Sequence, residues 1–189
     1  CIKQYRNMKV ILLLVAGVTL VSAEKCLRTK PTQEFSFKKF SGKWYLSALA
    51  ATEPKDEENY GAISCSEITF VLSNEMVSKW NLAYVAMNKR HDFTGTYTIP
   101  DLTKGFLKFN SPARNITYDY VIKCTDYETY SVIYSCADGD DFSEFYSLLT
   151  RSPEAYMEVI SKPEVKACFT DLTGKDIKHT LKKIPNTNC

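Results

Sequence analysis

Between residues 44 and 151 the chain alternates apolar and polar residues in short runs broken by turn signals, with almost no helical spacing. A strand sends successive side chains to opposite faces, so each run owns one apolar face that must be covered. The first run offers Trp44, Leu46, Ala48 and Ala50, and the second Ile68, Phe70 and Leu72 against Glu67 and Thr69. Trp80, Leu82 and Tyr84 form the third face, and Phe93, Gly95, Tyr97 and Ile99 the fourth, opposed by Thr94, Thr96 and Thr98. Leu107 and Phe109 follow, then Tyr118, Tyr120 and Ile122. A seventh run, 132–134, has no readable inward parity, and the eighth presents Phe145, Ser147, Leu149 and Arg151. Eight short strands without long crossovers predict an antiparallel meander closing as an up-and-down barrel.

The segments at either end of this pattern change period. Phe37 and Phe40 are spaced as one helical turn and run into Gly42, which permits a sharp entry into the strand that begins at Trp44. Trp44 is large enough to plug one barrel end. After the last strand, Ser161-Lys-Pro-Glu164 reads as a capping box, and Val165, Cys168, Phe169 and Leu172 recur at helical spacing until Gly174. The expected fold class is therefore all-β with one C-terminal α-helix, an eight-stranded antiparallel up-and-down barrel carrying the helix on its outside. A shorter helical turn over 153–160 is expected to precede it.

Residues 10–21 form an apolar run too short to span a bilayer, ending in Val21-Ser22-Ala23, which suits a signal peptidase. Residues 1–23 are thus expected to be leader and secretory signal peptide, and 24–189 a single extracellular domain. With Cys1 assigned to the leader, Cys26, Cys65, Cys124, Cys136, Cys168 and Cys189 remain, an even set that reads as disulfides in a secreted chain. Spacing alone does not choose among their pairings. Asn115-Ile-Thr117 is a glycosylation sequon. The formal net charge is +2 with no block of Lys or Arg, so neither nucleic acid nor membrane is an expected partner.

Gly42-Lys-Trp44, Thr125-Asp126-Tyr127 between the sixth and seventh runs, and Arg151 after the eighth resemble, in order and spacing, the three sequence motifs of the lipocalins. The stretch 124–136 is similar to apolipoprotein D, insect bilin-binding proteins and cockroach allergen lipocalins, while Glu24-Lys-Cys-Leu-Arg28 and Asp176-Ile-Lys-His179 lean toward the cockroach group. The resemblance implies that Arg151 lies on the face of Trp44, and that Cys26 pairs with Cys136 and Cys65 with Cys189. Cys124 and Cys168 depart from that pattern, either as a third bridge or as buried thiols. It further implies a secreted carrier of a small hydrophobic or aromatic ligand, a pheromone or a phenolic amine such as tyramine or octopamine. Allergenicity follows from the same likeness, and a monomer or weak dimer is expected.

Enzyme signatures are scarce. His91 and His179 are the only histidines, and no C-x-x-C, P-loop, G-x-S-x-G or H-E-x-x-H string occurs, so no catalytic residue, metal or cofactor is expected. Asp126 and Tyr127 read as a turn rather than an acid-base pair. Phe70, Trp80, Tyr84, Phe93, Tyr97, Phe109, Tyr118, Tyr120 and Phe145 share the inward faces, which suits an aromatic ligand with a few polar atoms. Around the open end, Glu53, Asp56, Glu57 and Glu58 of the first loop should lie near Asp138, Asp140 and Asp141 of the seventh, across from Lys89, Arg90 and Arg114. Glu57 and Glu58 are the candidate partners for a bound amine. The alternatives are a haem or bilin carrier using His91 as axial ligand, and a nutritive or salivary interaction protein with an incidental cavity.

Overall fold

Each alternating run becomes a strand. The computed structural model describes residues 26–189 except 28, 61, 74–76, 112–115, 138 and 188; the expected signal peptide over 1–23 and the sequon asparagine Asn115 lie outside the described residues. One helical turn, α1 (Phe37–Phe40), leads into β1 (Gly42–Ala51), and α2 (Pro54–Tyr60) occupies the loop before β2 (Ser64–Leu72). The meander continues with β3 (Val77–Ala86), β4 (Lys89–Thr98), β5 (Phe106–Ser111), β6 (Ile116–Thr125), β7 (Tyr130–Ala137) and β8 (Ser143–Thr150). Beyond it lie α3 (Tyr156–Val159), α4 (Pro163–Thr173), α5 (Ile177–Thr180) and a short β9 (Lys182–Lys183). From β1 to β8 every strand pairs antiparallel with its neighbour in sequence, and β1 also pairs with β8, so the sheet closes into a barrel.

One parity differs from the sequence expectation. The pairing of β1 with β8 shifts register between Leu46 and Ala48, and this bulge reverses the alternation. Trp44, Leu46 and Leu49 therefore belong to the interior, whereas Ala48 and Ala50 pack outward beneath the helices. Leu72, also expected inside, is exposed at the end of β2. In β7 every residue is buried, because one face lines the barrel and the other supports α4, so the period-two signal disappears. Ile133 faces the barrel core, while Val132, Tyr134 and Cys136 join the outer cluster with Val165, Phe169 and Leu172 of α4.

The start of α4 corrects the expected capping box. Lys162 occupies the N-cap without a side-chain bond, and the Ser161 hydroxyl instead donates to the Glu158 carbonyl at 2.6 Å, closing the turn after α3. At its other end Gly174 adopts φ 68°, the left-handed conformation that ends the helix. Disulfides join Cys26 to Cys136, Cys65 to Cys189, and Cys124 to Cys168, with Cα–Cα distances of 5.8, 5.6 and 6.5 Å. The third ties α4 to the wall strand β6.

The C-terminal segment is part of the barrel wall. β1 and β2 pair only from Gly42 opposite Phe70 to Tyr45 opposite Glu67. Past that point the tail fills the seam. β9 pairs with Ala48 and Leu49, and the Ile184 N–H donates to the Ser47 carbonyl at 2.9 Å. Asn186 donates through Nδ2 to the Leu46 carbonyl at 2.9 Å and accepts the Ser66 N–H at 2.7 Å, so one buried amide bridges both strands. The Cys65 N–H donates to Pro185 at 2.7 Å, beside the bridge to Cys189.

Candidate ligand-binding cavity

One end of the barrel is sealed by the motif residues. Phe35, Phe37 and Phe40 pack over the interior, and the Trp44 indole donates to the Phe40 carbonyl at 2.8 Å. Asp126 organises the turn between β6 and β7, its Oδ1 accepting the N–H groups of Glu128, Thr129 and Tyr130 at 3.1, 2.8 and 2.9 Å. Thr125 completes it by bonding Tyr127 N–H and the Tyr130 carbonyl. The Tyr127 hydroxyl accepts the Ser36 N–H, joining this turn to the entry into α1. These groups are engaged in holding the closed end.

Above the seal lies a cavity of about 250 Å³. Its wall brings together the aromatic residues of the inward faces: Phe70 from β2, Trp80 and Tyr84 from β3, Phe93 and Tyr97 from β4, Phe109 from β5, Tyr118 and Tyr120 from β6, and Phe145 from β8. Aliphatic contacts come from Leu46, Leu49, Ile68, Leu82, Ile133 and Leu149. Tyr60, at the end of α2, stacks edge-on against Phe145 with ring centroids 5.6 Å apart, so the first loop contributes a lining ring that period-two reading had no means to find.

The deep rings interlock. Trp80 meets Phe109 edge-on at 5.0 Å, and Tyr97 meets Tyr120 at 4.9 Å. Gly95, directly across from Trp80, makes this possible, because a Cβ there would lie 2.5 Å from the indole nitrogen. Desolvation, together with the neighbouring Tyr120, pushes the Tyr97 phenol well above its ordinary range, and burial raises Tyr120 as well. Both phenols are neutral hydrogen-bonding groups at physiological pH. No carboxylate, imidazole or thiol belongs to the wall among the described residues.

Glu57 and Glu58 are not brought to the cavity. They sit exposed on α2, outside the wall, and Glu57 is paired with Lys182. Asp141 is likewise paired with Lys55, so lysines already answer part of the acidic rim expected at the mouth. Asp56 is buried rather than displayed. Asp138 and Arg114 lie outside the described residues, and Arg90 is engaged by Glu67 and Asp92. His91 stacks on Tyr84 at 5.3 Å and on Phe93 at 6.4 Å and contributes nothing to the wall. Among the described residues no group of His, Cys, Asp and Glu could hold a metal ion, and no helix is long and apolar enough to cross a membrane.

A closed eight-stranded meander with an external helix and one end sealed around a buried Trp defines the lipocalin class, whose members bind small ligands. The chain matches the lipocalin / cytosolic fatty-acid binding protein family over residues 41–179 and belongs to it. Over 124 residues it is 31% identical to prostaglandin-H2 D-isomerase of Felis catus, a match covering 65% of this chain and 63% of that protein, less than two thirds of its length. Among solved structures it resembles insecticyanin of the tobacco hornworm Manduca sexta, with TM-score 0.67, 19% identity, and 86% and 87% of the two chains covered. Per a 4, a major allergen from cockroaches, aligns with TM-score 0.62 and 21% identity over 85% of this chain and 94% of that one. The siderocalin Ex-FABP, described as having dual ligand specificities, gives TM-score 0.59 and 19% identity over 78% and 94%.

Proposed function

We propose that this lipocalin is a secreted carrier, without catalytic activity, that holds one small and largely apolar aromatic ligand inside its barrel, of the pheromone or phenolic-amine kind. The observation that carries the reading is the cavity of about 250 Å³ inside the barrel, walled by rings from β2 through β6 and β8. Apolar surface removed from water contributes roughly 25 cal/mol per Å², so an aromatic molecule gains from entering such a space. Its wall is made of rings, aliphatic groups and hydroxyls, which suits holding a molecule better than transforming one. Bridging of Cys26, Cys65, Cys124, Cys136, Cys168 and Cys189 supports an extracellular destination. The likeness to cockroach allergen lipocalins supports allergenicity, which IgE binding by sera from sensitised donors would test.

Native mass spectrometry of protein isolated from its source tissue tests the carrier reading. A carrier arrives with a stoichiometric small molecule that is released on denaturation. Protein that is ligand-free from tissue and takes up no apolar aromatic probe would instead be an interaction protein whose cavity is incidental.

A further inference from the structure

The polar groups of the cavity fall into two sets. Tyr97, Tyr120 and Ser135 hydrogen-bond among themselves, Tyr97 with Tyr120 and Tyr120 with Ser135. Ser66 Oγ and Trp80 Nε1 are also buried, on residues 0% and 8% exposed, and have no hydrogen-bond partner. Folded proteins pair the great majority of such groups, so two left over on residues that line one cavity point to the molecule that fills it.

Neither is loosely placed. The Ser66 backbone is fixed by its N–H bond to Asn186, and the Trp80 indole is wedged between the open face of Gly95 and the edge-on ring of Phe109. Phe70 lies opposite Trp80, and Ser66 lies on the same face of β2 toward the mouth. Four residues of strand separate Ser66 from Phe70, roughly 13 Å, so the two unpartnered groups address different parts of a ligand.

Their chemistry is selective. An indole N–H only donates, so its complement is an oxygen with a free lone pair, and a serine hydroxyl serves an oxygen equally well. An ammonium has no lone pair to offer Trp80, and the wall holds no carboxylate to compensate its desolvation. Glu57, expected from the sequence as a partner for an amine, lies outside the wall and is paired with Lys182.

We infer that the ligand is a neutral aromatic molecule oxygenated at both ends, one oxygen accepting the Trp80 indole N–H and the other meeting the Ser66 hydroxyl, and that phenolic amines are discriminated against. This rests on the carrier reading and chooses between the ligand kinds that reading leaves open.

Tyrosol, tyramine and propylbenzene form a matched set of probes, because tyrosol and tyramine differ only in carrying a hydroxyl or an ammonium at the end of the same side chain. Isothermal titration of the intact protein is expected to rank tyrosol at least about tenfold above tyramine. Trp80→Phe and Ser66→Ala should each weaken tyrosol by roughly fivefold more than they weaken propylbenzene, the size expected for losing one hydrogen bond. Tyramine binding as tightly as tyrosol would overturn the inference. So would both variants keeping full tyrosol affinity, or losing tyrosol and propylbenzene equally. Failure of propylbenzene itself to bind the unaltered protein would remove the carrier reading, a distinct result.

Discussion

The guanidinium carbon of Arg151 lies 3.7 Å from the centroid of the Trp44 ring. The same group donates to five carbonyls, those of Tyr127, Lys43, Lys39, Phe40 and Ser41, at 2.8–3.2 Å. Gly42 takes part through what it lacks. It adopts φ 103°, and a Cβ there would stand 3.3 Å from Arg151 Nη1. Residues more than a hundred positions apart in sequence thus meet in one knot at the closed end.

Removing the knot should cost stability. Arg151→Ala strands several carbonyls and bares one face of Trp44, and is expected to lower the free energy of unfolding by about 3 kcal/mol. Arg151→Lys keeps the charge but lacks the planar fork that reaches carbonyls on both sides, so it should recover less than half of the loss. Urea unfolding of the pair checks this. An alanine variant as stable as the parent would mean that the knot is decorative.

Gly95 is expected to act through Trp80. Its substitution by Ala places a methyl 2.5 Å from the indole nitrogen, forcing the ring to move. Overpacking of this kind costs about 1–3 kcal/mol, and the moved ring should change the cavity. Near-UV circular dichroism and apolar probe binding should therefore change together. Unaltered spectra in a folded Gly95→Ala protein would show that the indole is held less firmly than its contacts indicate.

The seam between β1 and β2 makes Asn186 a stability residue despite its place in the tail. Asn186→Ala leaves the Leu46 carbonyl and the Ser66 N–H buried without partners, and should cost about 2 kcal/mol. Amide hydrogen exchange should quicken at Ser66 and along the neighbouring wall before it does in β6 and β7. Uniform acceleration throughout the barrel would instead mean that the seam opens only with global unfolding.

Asp126 gives the pH dependence a sign. Burial alone would raise its pKa, but hydrogen bonds from Thr129, Tyr130 and Glu128 outweigh that and leave it lowered. A carboxyl with a lower pKa in the folded protein contributes stability that is complete above its unfolded value of about 4 and is lost as pH falls through the folded value. The melting temperature should accordingly drop below about pH 4, and Asp126→Asn should flatten that part of the profile. A variant that tracks the parent through the acid range would remove Asp126 from the account.

What the sequence determined is what a local period can carry. On β3, β4, β5, β6 and the barrel-facing half of β8, alternation by itself assigned the inward rings, because one face of each strand meets the cavity and the other a contrasting environment. The helical stripe of Val165, Phe169 and Leu172 was equally plain, and the closing motifs were legible as spacing. Only the tertiary structure decided the rest. In β7 burial on both sides erased the alternation, and in β1 one extra residue at the bulge turned Ala48 and Ala50 outward and Leu49 inward. Glu57 looked free until the tail brought Lys182 to it, and the seam was closed by Asn186 from 140 residues away. Period two is fixed by backbone geometry within a few residues, whereas bulges, seams and the pairing of polar groups depend on which distant segment fills the space beside them.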